Sequence, residues 1–555
     1  MEEIKRTSPI TIYYLPSQSW NENKLEFSTD SLDSSLSYAP QKKDMSQIIK
    51  EVDRHLYGLS SQEIIATNQS RDTVLSINSF STFPTKKDVL PVQDQQFCEL
   101  YNNKLQRPLV AFLLSSIPDE YEWTMNVFRL GFKGIPSSNP IPIVIHLLIE
   151  TPGFFTNNEA AAIKILQGME QVIQQETHDK ICIDVCQIRE SMLRSSSDDD
   201  NSVKLADRFK GLYHDNPYPG FSIGNQKSIS AGSFTGFVYH ENEIYGLTCR
   251  HVLFPKSNYP DSGSYKYEEE NEKLKVCMPA LMDHKATKQE IQENIDSYQD
   301  MIEGLEPALL KSSNPTTIKT KIENYESHKK KWVSYLSIAT HYDLNVGHIY
   351  AAPEEWHRIP NYEGFLDWGL FSVDGLAPTD AEKEHNQIPL KPLTKFKKLP
   401  KGDDFSTTQL EDFNTKYQVL RKSEFLNIKN LQDSATPKRN TIYFKPASRT
   451  FDWKLCRFNE ILATKKKSDR EPSREYVYIG IESAVSAPGD SGSLICDIDI
   501  ATNDNVAVLI PIAVIWGGEE NHGGWTDVTY ATPVSVVLKD IENFLGWDSG
   551  SVRFY

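Results

Sequence analysis

The segment Gly489-Asp490-Ser491-Gly492 contains the residue types needed for nucleophilic attack on a carbonyl group. A serine hydroxyl attacks a carbonyl carbon once a nearby base accepts its proton. Gly489 can adopt backbone angles that other residues avoid. The amides of Gly489 and Ser491 can then point toward one position, where they would stabilise a developing negative charge on oxygen. We therefore predict a nucleophile at Ser491 and an oxyanion hole formed by Gly489 and Ser491.

Four-residue strings of this kind also occur by chance in surface turns, so the interpretation requires a base elsewhere in the chain. His251 lies at the end of a predicted β-hairpin, whose strands are residues 231–239 and 244–249. A histidine held just beyond a strand is well placed to act as a general base, because the strands fix its position. A lone histidine there is more often structural, and the presence of Ser491 favours the catalytic interpretation.

An aspartate with apolar neighbours could complete this set. Asp367 lies between apolar residues on a predicted short strand. A buried carboxylate is costly unless it accepts hydrogen bonds, and a histidine ring N–H would provide one. Asp374 is the alternative, but it precedes Gly375 in a predicted turn, where aspartate is common for local reasons. We therefore prefer Asp367.

The order and surroundings of these residues resemble those of the chymotrypsin-like (trypsin-like) serine peptidases. In that family the catalytic residues follow the chain order of His251, Asp367 and Ser491. Ser493 stands where the family has the last glycine of its Gly-Asp-Ser-Gly-Gly motif. The other matching features are a strand ending at the histidine, a strand ending in Trp-Gly, and a Tyr-Ala strand followed by a terminal helix, at residues 248–251, 512–517 and 529–545.

The resemblance covers roughly residues 217–375 and 475–547 and implies a chymotrypsin-like fold there. We therefore expect residues 206–555 to be an all-β peptidase domain with two six-stranded barrels. Two insertions are predicted within it. Residues 262–340 carry polar residues and an apolar stripe at helical spacing, and residues 380–440 are polar and rich in lysine.

The resemblance implies a serine endopeptidase that acts on protein or peptide substrates through an acyl-enzyme, without a cofactor. His251 would accept the proton of Ser491, and Asp367 would orient the imidazole. In digestive members of the family, activation cleavage creates a new N-terminus that binds the aspartate before the serine. No such N-terminus is obvious here, so Asp490 must be held by another group. Whether the oxyanion hole is always formed stays open.

The same resemblance predicts a substrate-binding pocket near the nucleophile. Its lining residues would be Val485, Ser486, Trp516, Gly517 and Val528. Position 485, at the base of the pocket, carries no acidic side chain. The pocket is therefore expected to favour a small or apolar residue before the cut over lysine or arginine.

Residues 1–205 are predicted to form a mixed α/β N-terminal domain. A helical pattern at residues 157–175 separates the second and third of its strand-length apolar runs. These three predicted strands are residues 108–114, 140–149 and 181–186. No glycine-rich phosphate loop is present, so no nucleotide is assigned. The Ser/Asp-rich segment at 195–202 is predicted to be the linker that ends this domain.

Composition and charge exclude several classes of protein. Of the 555 residues, 39% are hydrophobic, enough for a sizeable core and against wholesale disorder. The net charge of −17 disfavours binding to nucleic acid or anionic membranes. The seven scattered cysteines do not suggest a disulfide framework, and the histidines lack the paired spacing of a zinc site. No signal peptide or membrane-spanning run is evident, so a cytoplasmic protein is expected.

Two alternatives to a simple endopeptidase stay open. The same fold could be catalytically silent or latent and act as an interaction scaffold, although the complete set of catalytic residues favours activity. The enzyme could also cleave its own chain, for example at the accessible linker 195–202. The sequence does not specify an oligomeric state.

Overall fold

The computed structural model describes most of the chain from residue 47 onward. The described residues are 47–59, 62–75, 87–132, 141–155, 158–188, 212–213, 217–228, 230–255, 263–270, 272–311, 314–373, 387–389, 407–420, 425–428, 436–439, 441–449, 453–481, 484–500, 507–519 and 528–554.

The N-terminal part forms a mixed sheet with the order β1-β2-β6-β5-β4 and with β3 paired to β4. Its strands are β1 (Gln47–Ile48), β2 (Gln62–Thr67), β3 (Lys87–Leu90), β4 (Trp123–Phe132), β5 (Ile143–Ile149) and β6 (Cys182–Ile188). Only β5 and β6 are parallel among these pairs. A parallel pair needs a crossover connection, which a helix provides here.

Helices cover this sheet. They are α1 (Arg71–Val74), α2 (Gln95–Leu100), α3 (Gln106–Ser116) and α4 (Glu159–Glu176), with a 3₁₀ helix at Glu51–Tyr57 and a π-helical turn at Tyr101–Leu105. Helix α4 joins β5 to β6, as the spacing at 157–175 predicts. Its apolar residues recur every three or four positions and are buried on one face, namely Ala162, Ile165, Leu166, Met169 and Ile173.

The prediction of a strand at residues 108–114 is wrong, because this run belongs to helix α3. A continuous apolar run of this length does not distinguish a strand from a buried helical face. Leu109 and Leu113, four residues apart, are fully buried, whereas Ala111 between them is exposed. Burial therefore follows the helical period rather than the alternation of a strand.

A second sheet of nine strands follows, with the order β25-β9-β10-β16-β13-β12-β7-β8 and β11 paired to β13. Strands β14 (His357–Ile359) and β15 (Tyr362–Leu366) form a separate hairpin. The nine strands are β7 (Ser222–Asn225), β8 (Gly232–Ser233), β9 (Gly236–His240), β10 (Glu243–Thr248), β11 (Tyr265–Lys266), β12 (Lys275–Cys277), β13 (Asn345–Ala352), β16 (Gly369–Val373) and β25 (Arg553–Phe554).

The C-terminal strands contain a closed circuit of antiparallel pairs, β19-β20-β21-β24-β23-β22 and back to β19. These six strands are β19 (Ile442–Lys445), β20 (Lys454–Lys466), β21 (Ser473–Gly480), β22 (Leu494–Ile500), β23 (Ala507–Glu519) and β24 (Val528–Pro533). The register shifts in the β20–β21, β22–β23 and β23–β24 pairs are bulges, which increase the local twist and help such a ring to close.

The expectation of two six-stranded barrels therefore holds for one ring only. Among the described residues, pairing in the nine-stranded sheet ends at β8 and β25, so the described part of that sheet is open. Strand β20 of the ring also pairs with β4, which makes the N-terminal sheet continuous with the ring. The molecule is thus a mixed α/β structure with several sheets. The domain boundary at residue 205 stays a prediction.

The remaining helices are α5 (Arg250–Leu253), α6 (Leu281–Lys311), α7 (Pro315–His341), α8 (Thr407–Leu420) and α9 (Val534–Leu545). Helices α6 and α7 occupy the segment predicted to be a helical insertion and pack together through Ile291, Ile295 and Ala339. Helix α8 and the short strands β17 (Gln387–Pro389) and β18 (Phe425–Ile428) lie within the polar segment, and β18 pairs with β23. Among the described helices, none is both long and apolar enough to cross a membrane.

Candidate active site

Strand register brings His251 and Asp367 together. Strand β10 pairs with β16 so that Thr248 lies opposite Gly369. His251 follows Thr248 in the short helix α5, and Asp367 lies in the two-residue connection between β15 and β16. Asp367 Oδ2 forms a very short contact with His251 Nδ1, and Asp367 Oδ1 accepts a hydrogen bond of 3.1 Å from the His251 main-chain N–H. Two hydrogen bonds to one carboxylate fix the ring and direct Nε2 away from Asp367.

The electrostatics of this pair favour a charged aspartate and a basic histidine. Burial alone would lower the pKa of His251, but the Asp367 carboxylate raises it above its ordinary value. Burial alone would raise the pKa of Asp367, but the charge and hydrogen bonds of His251 lower it. The His251 side chain keeps 44% of its surface exposed, so the ring is accessible to solvent. The alternative acid, Asp374, lies outside the described residues.

Ser491 lies in a turn shaped by two glycines with left-handed backbone angles, Gly489 at φ +95° and Gly492 at φ +94°. Within the described structure, the amides of Gly489 and Ser491 donate to no other group, whereas the Gly492 amide donates to Ile515 O at 2.7 Å. Two neighbouring amides are therefore available for an oxyanion.

This turn docks against the strands that lead to His251. Ser233 N donates to Ser491 O at 2.7 Å, and Ser233 Oγ donates to Gly489 O at 3.1 Å. Thr248 Oγ1 in turn donates to Ser233 O at 2.8 Å. A Cβ atom on Gly492 would lie 2.0 Å from Ser233 O, so the close approach requires glycine. Ser233 thus connects the turn at residues 489–492, called here the nucleophile turn after the predicted role of Ser491, to strand β10.

Ser491 and His251 do not hydrogen-bond each other in the described structure. The Ser491 hydroxyl donates instead to Trp516 O at 3.4 Å. Catalytic hydrogen bonds are often long or absent in substrate-free enzymes and tighten when substrate binds. The structure therefore brings together His251 and Asp367, and places Ser491 in the adjacent turn.

Four of the predicted pocket residues, Ser486, Trp516, Gly517 and Val528, lie in segments next to this turn. Ser486 Oγ lies 2.7 Å from Thr529 Oγ1, next to Val528 at the start of β24. Trp516 and Gly517 lie on β23, where the Trp516 carbonyl faces the Ser491 hydroxyl. Val485 is fully buried in an apolar cluster with residues such as Tyr478 and Ile512, so its side chain belongs to the core.

Cys249, His251 and Asp367 form the one described group whose side chains could converge on a metal ion, with ligand atoms within 4.8 Å of one another. A thiol must lose its proton to bind a metal. Burial and the nearby Asp367 charge raise the pKa of Cys249 well above its usual range. The thiol donates to Ile515 O at 3.3 Å, and the trio fits a histidine–aspartate pair beside a protonated cysteine better than a metal site.

Two basic residues near the nucleophile turn were missed by the sequence reasoning, Lys445 at the end of β19 and Arg449 just after it. Both are more than forty residues away from Ser491 in the chain. A signal was present, because Lys445 ends a short apolar strand, and a lysine buried with such a strand needs a charged partner.

No protein-family model and no curated protein matches this chain. Among solved structures, the chain is similar to protease A of Thermobifida fusca over 59% of this chain and 95% of that one. The two share 9% sequence identity at a TM-score of 0.25. A TM-score this low establishes neither a shared fold nor a shared site.

Proposed function

We propose that this protein is a serine endopeptidase of the chymotrypsin-like type. The observation that carries the proposal is the His251–Asp367 pair beside a turn in which Ser491 lies between the left-handed Gly489 and Gly492 and two amides donate to no described group. Acyl transfer needs these three elements together: a nucleophile, an oriented base and an oxyanion hole.

In the proposed reaction, His251 Nε2 accepts the Ser491 proton as Oγ attacks the peptide carbonyl. Asp367 stabilises the resulting imidazolium through Nδ1. The amides of Gly489 and Ser491 bind the oxyanion, each contributing about 3 kcal/mol by mutational precedent. His251 then protonates the leaving amine, and water hydrolyses the acyl-enzyme.

The proposed substrate is a protein or peptide with a small or apolar residue before the cut. Self-cleavage near 195–202 is a second proposed event. The N-terminal region up to residue 205 is proposed to regulate the enzyme or bind partners. We further propose action in the cytoplasm, without nucleic acid, membrane or cofactor.

A latent enzyme or silent scaffold is the second candidate, and one observation favours it. The Ser491 hydroxyl donates to Trp516 O and not to His251. If this arrangement persisted in solution, the serine would not be activated. The same hydroxyl needs only to rotate about its Cα–Cβ bond to leave that weak contact.

Mass-spectrometric mapping of cuts in a denatured protein substrate tests the proposal. We expect internal cuts by the wild type and none by Ser491→Ala. Ser493→Ala is the matched control, because its hydroxyl lies in the same segment, is buried, and has no described partner. Equal cleavage by wild type and Ser491→Ala, or no cleavage by either, would contradict the proposal.

A further inference from the structure

We infer that Lys445 and Arg449 position the two oxyanion amides, so that the hole is formed in the uncleaved chain. This inference rests on the proposed function and concerns how that same site is regulated. The Lys445 side chain has no exposed surface and that of Arg449 is 7% exposed, so both are placed to act through the main chain of the turn at residues 489–492.

Lys445 holds Asp490 from within the core. Its Nζ lies 3.0 Å from Asp490 Oδ2, and both side chains have no exposed surface. Ser448 Oγ donates to Asp490 Oδ1 at 2.6 Å, and the Ala487 amide donates to Oδ2 at 3.1 Å. A buried carboxylate with this many partners has one orientation, and removing the ammonium would leave an uncompensated charge.

The orientation of Asp490 sets the direction of the Ser491 amide. The carbonyl of Asp490 and the N–H of Ser491 belong to one planar peptide unit. That carbonyl accepts a hydrogen bond from Ser493 N at 2.8 Å, while the Asp490 amide donates to Ala487 O at 2.9 Å. Rotating this peptide plane would break the hydrogen bond from Ser493 N to Asp490 O.

Arg449 acts on the other amide in the same way. The carbonyl of Pro488 and the N–H of Gly489 share one peptide plane, and Arg449 Nη1 donates to Pro488 O at 3.4 Å. The guanidinium also covers one side of Gly489, since a Cβ there would lie 1.9 Å from Nη1. Flipping this peptide would lose that hydrogen bond and turn the Gly489 amide away.

Arg449 is held in place by Asp283, a residue outside the six-stranded ring. Its Nε and Nη2 donate to the two oxygens of Asp283 at 2.7 and 2.8 Å, a bidentate pair that fixes the guanidinium plane. Asp283 lies in the first turn of α6, in the helical insertion, and also accepts from Ser222 Oγ at 2.5 Å. The insertion therefore supports the oxyanion turn through one arginine.

These contacts hold Asp490 without an N-terminus created by cleavage. The positive charge that binds Asp490 comes from within strand β19, so no cleavage is needed to supply it. We expect the full-length chain to react with a fluorophosphonate probe without prior processing, as judged by its intact mass.

The test compares Lys445→Met and Arg449→Met with wild type, and uses Lys416→Met as matched control. Lys416 also pairs with an aspartate, Asp497, at 2.8 Å. We expect about a 10²- to 10³-fold slower labelling rate in each of the first two variants, which is the loss seen when one oxyanion donor is removed. Lys416→Met should label at the wild-type rate.

Hydrogen exchange provides a readout that does not depend on activity. Lys445→Met should speed exchange in peptides covering residues 484–493 while peptides from the N-terminal sheet are unchanged. Unchanged exchange there, or wild-type labelling rates in both variants, would overturn the inference. A wild type that never labels, but whose turn loosens in Lys445→Met, would instead refute the proposed function and leave the positioning role standing.

Discussion

Replacing Glu475 with glutamine is expected to stabilise the protein above neutral pH. Glu475 lies on β21 and is fully buried. Its Oε1 accepts a hydrogen bond of 3.0 Å from the Phe365 amide, and its Oε2 has no partner among the described residues. Burial raises the pKa of this carboxyl from 4.5 to about 7, and the nearby Ser473 hydroxyl, the Phe365 amide and the Lys465 charge lower it by less. The folded state thus favours the neutral acid.

The size and sign of the effect follow from this pKa. Each pKa unit corresponds to about 1.4 kcal/mol, so ionising Glu475 costs the folded state about 3 kcal/mol. Because the folded pKa is the higher one, this stability is present below about pH 4.5 and is lost as the pH rises through about 7. Glutamine resembles the neutral acid and does not titrate.

Thermal melting between pH 4 and pH 8.5 measures this effect. We expect the melting temperatures of wild type and Glu475→Gln to coincide at the acid end and to separate by several degrees at the alkaline end, with the variant higher. Glu363→Gln is the control, because that side chain lies on the adjacent strand β15 but is 61% exposed. Parallel curves for wild type and Glu475→Gln would refute the reasoning.

Three further results are expected. Asp367→Asn should lower the hydrolysis rate about 10³- to 10⁴-fold, and a smaller loss would argue against its orienting role. The hydrolysis rate should rise with pH, with its midpoint above pH 6.5, because His251 must be neutral to act as a base and Asp367 raises its pKa. A midpoint below pH 6.5 would contradict this. Glu150→Gln should destabilise the protein at pH 7 by up to about 3 kcal/mol. Burial opposes the ionisation of Glu150, but Lys465 and Lys467 lower its pKa to about 2. The stabilisation by the ionised carboxylate is therefore present above about pH 4.5 and is lost as the pH falls toward 2. A variant as stable as wild type in denaturation at pH 7 would contradict this.

The turn around Ser491 could be predicted from the sequence because its conformation depends on residues that are neighbours in the chain. Glycine at 489 predicts backbone angles that other residues avoid, and Gly489 adopts a left-handed angle; Gly492 adopts one too, although no such angle was predicted for it. The pairing of His251 with Asp367 was expected from the cost of an unpartnered buried carboxylate and from the resemblance, but its geometry depends on the register of β10 against β16. The interval between these two residues contains the whole helical insertion, which no local pattern spans.

Other features depend on long-range packing that the sequence does not encode locally. The run at 108–114 has the composition of a strand, and only its burial at every fourth residue identifies a helix. Lys445 contacts Asp490, which is 45 residues away in the chain, so a lysine in an apolar strand was the only sequence sign of this ion pair. The closure of one barrel and the opening of the other sheet likewise depend on strand pairs distant in sequence.

The most direct test of the central claim is covalent labelling of the purified full-length protein with a fluorophosphonate, followed by peptide mapping of the adduct. We predict a single adduct on Ser491, absent from Ser491→Ala and His251→Ala and present in Ser493→Ala. A wild-type protein that stays unlabelled, or an adduct on a different serine, would contradict the account.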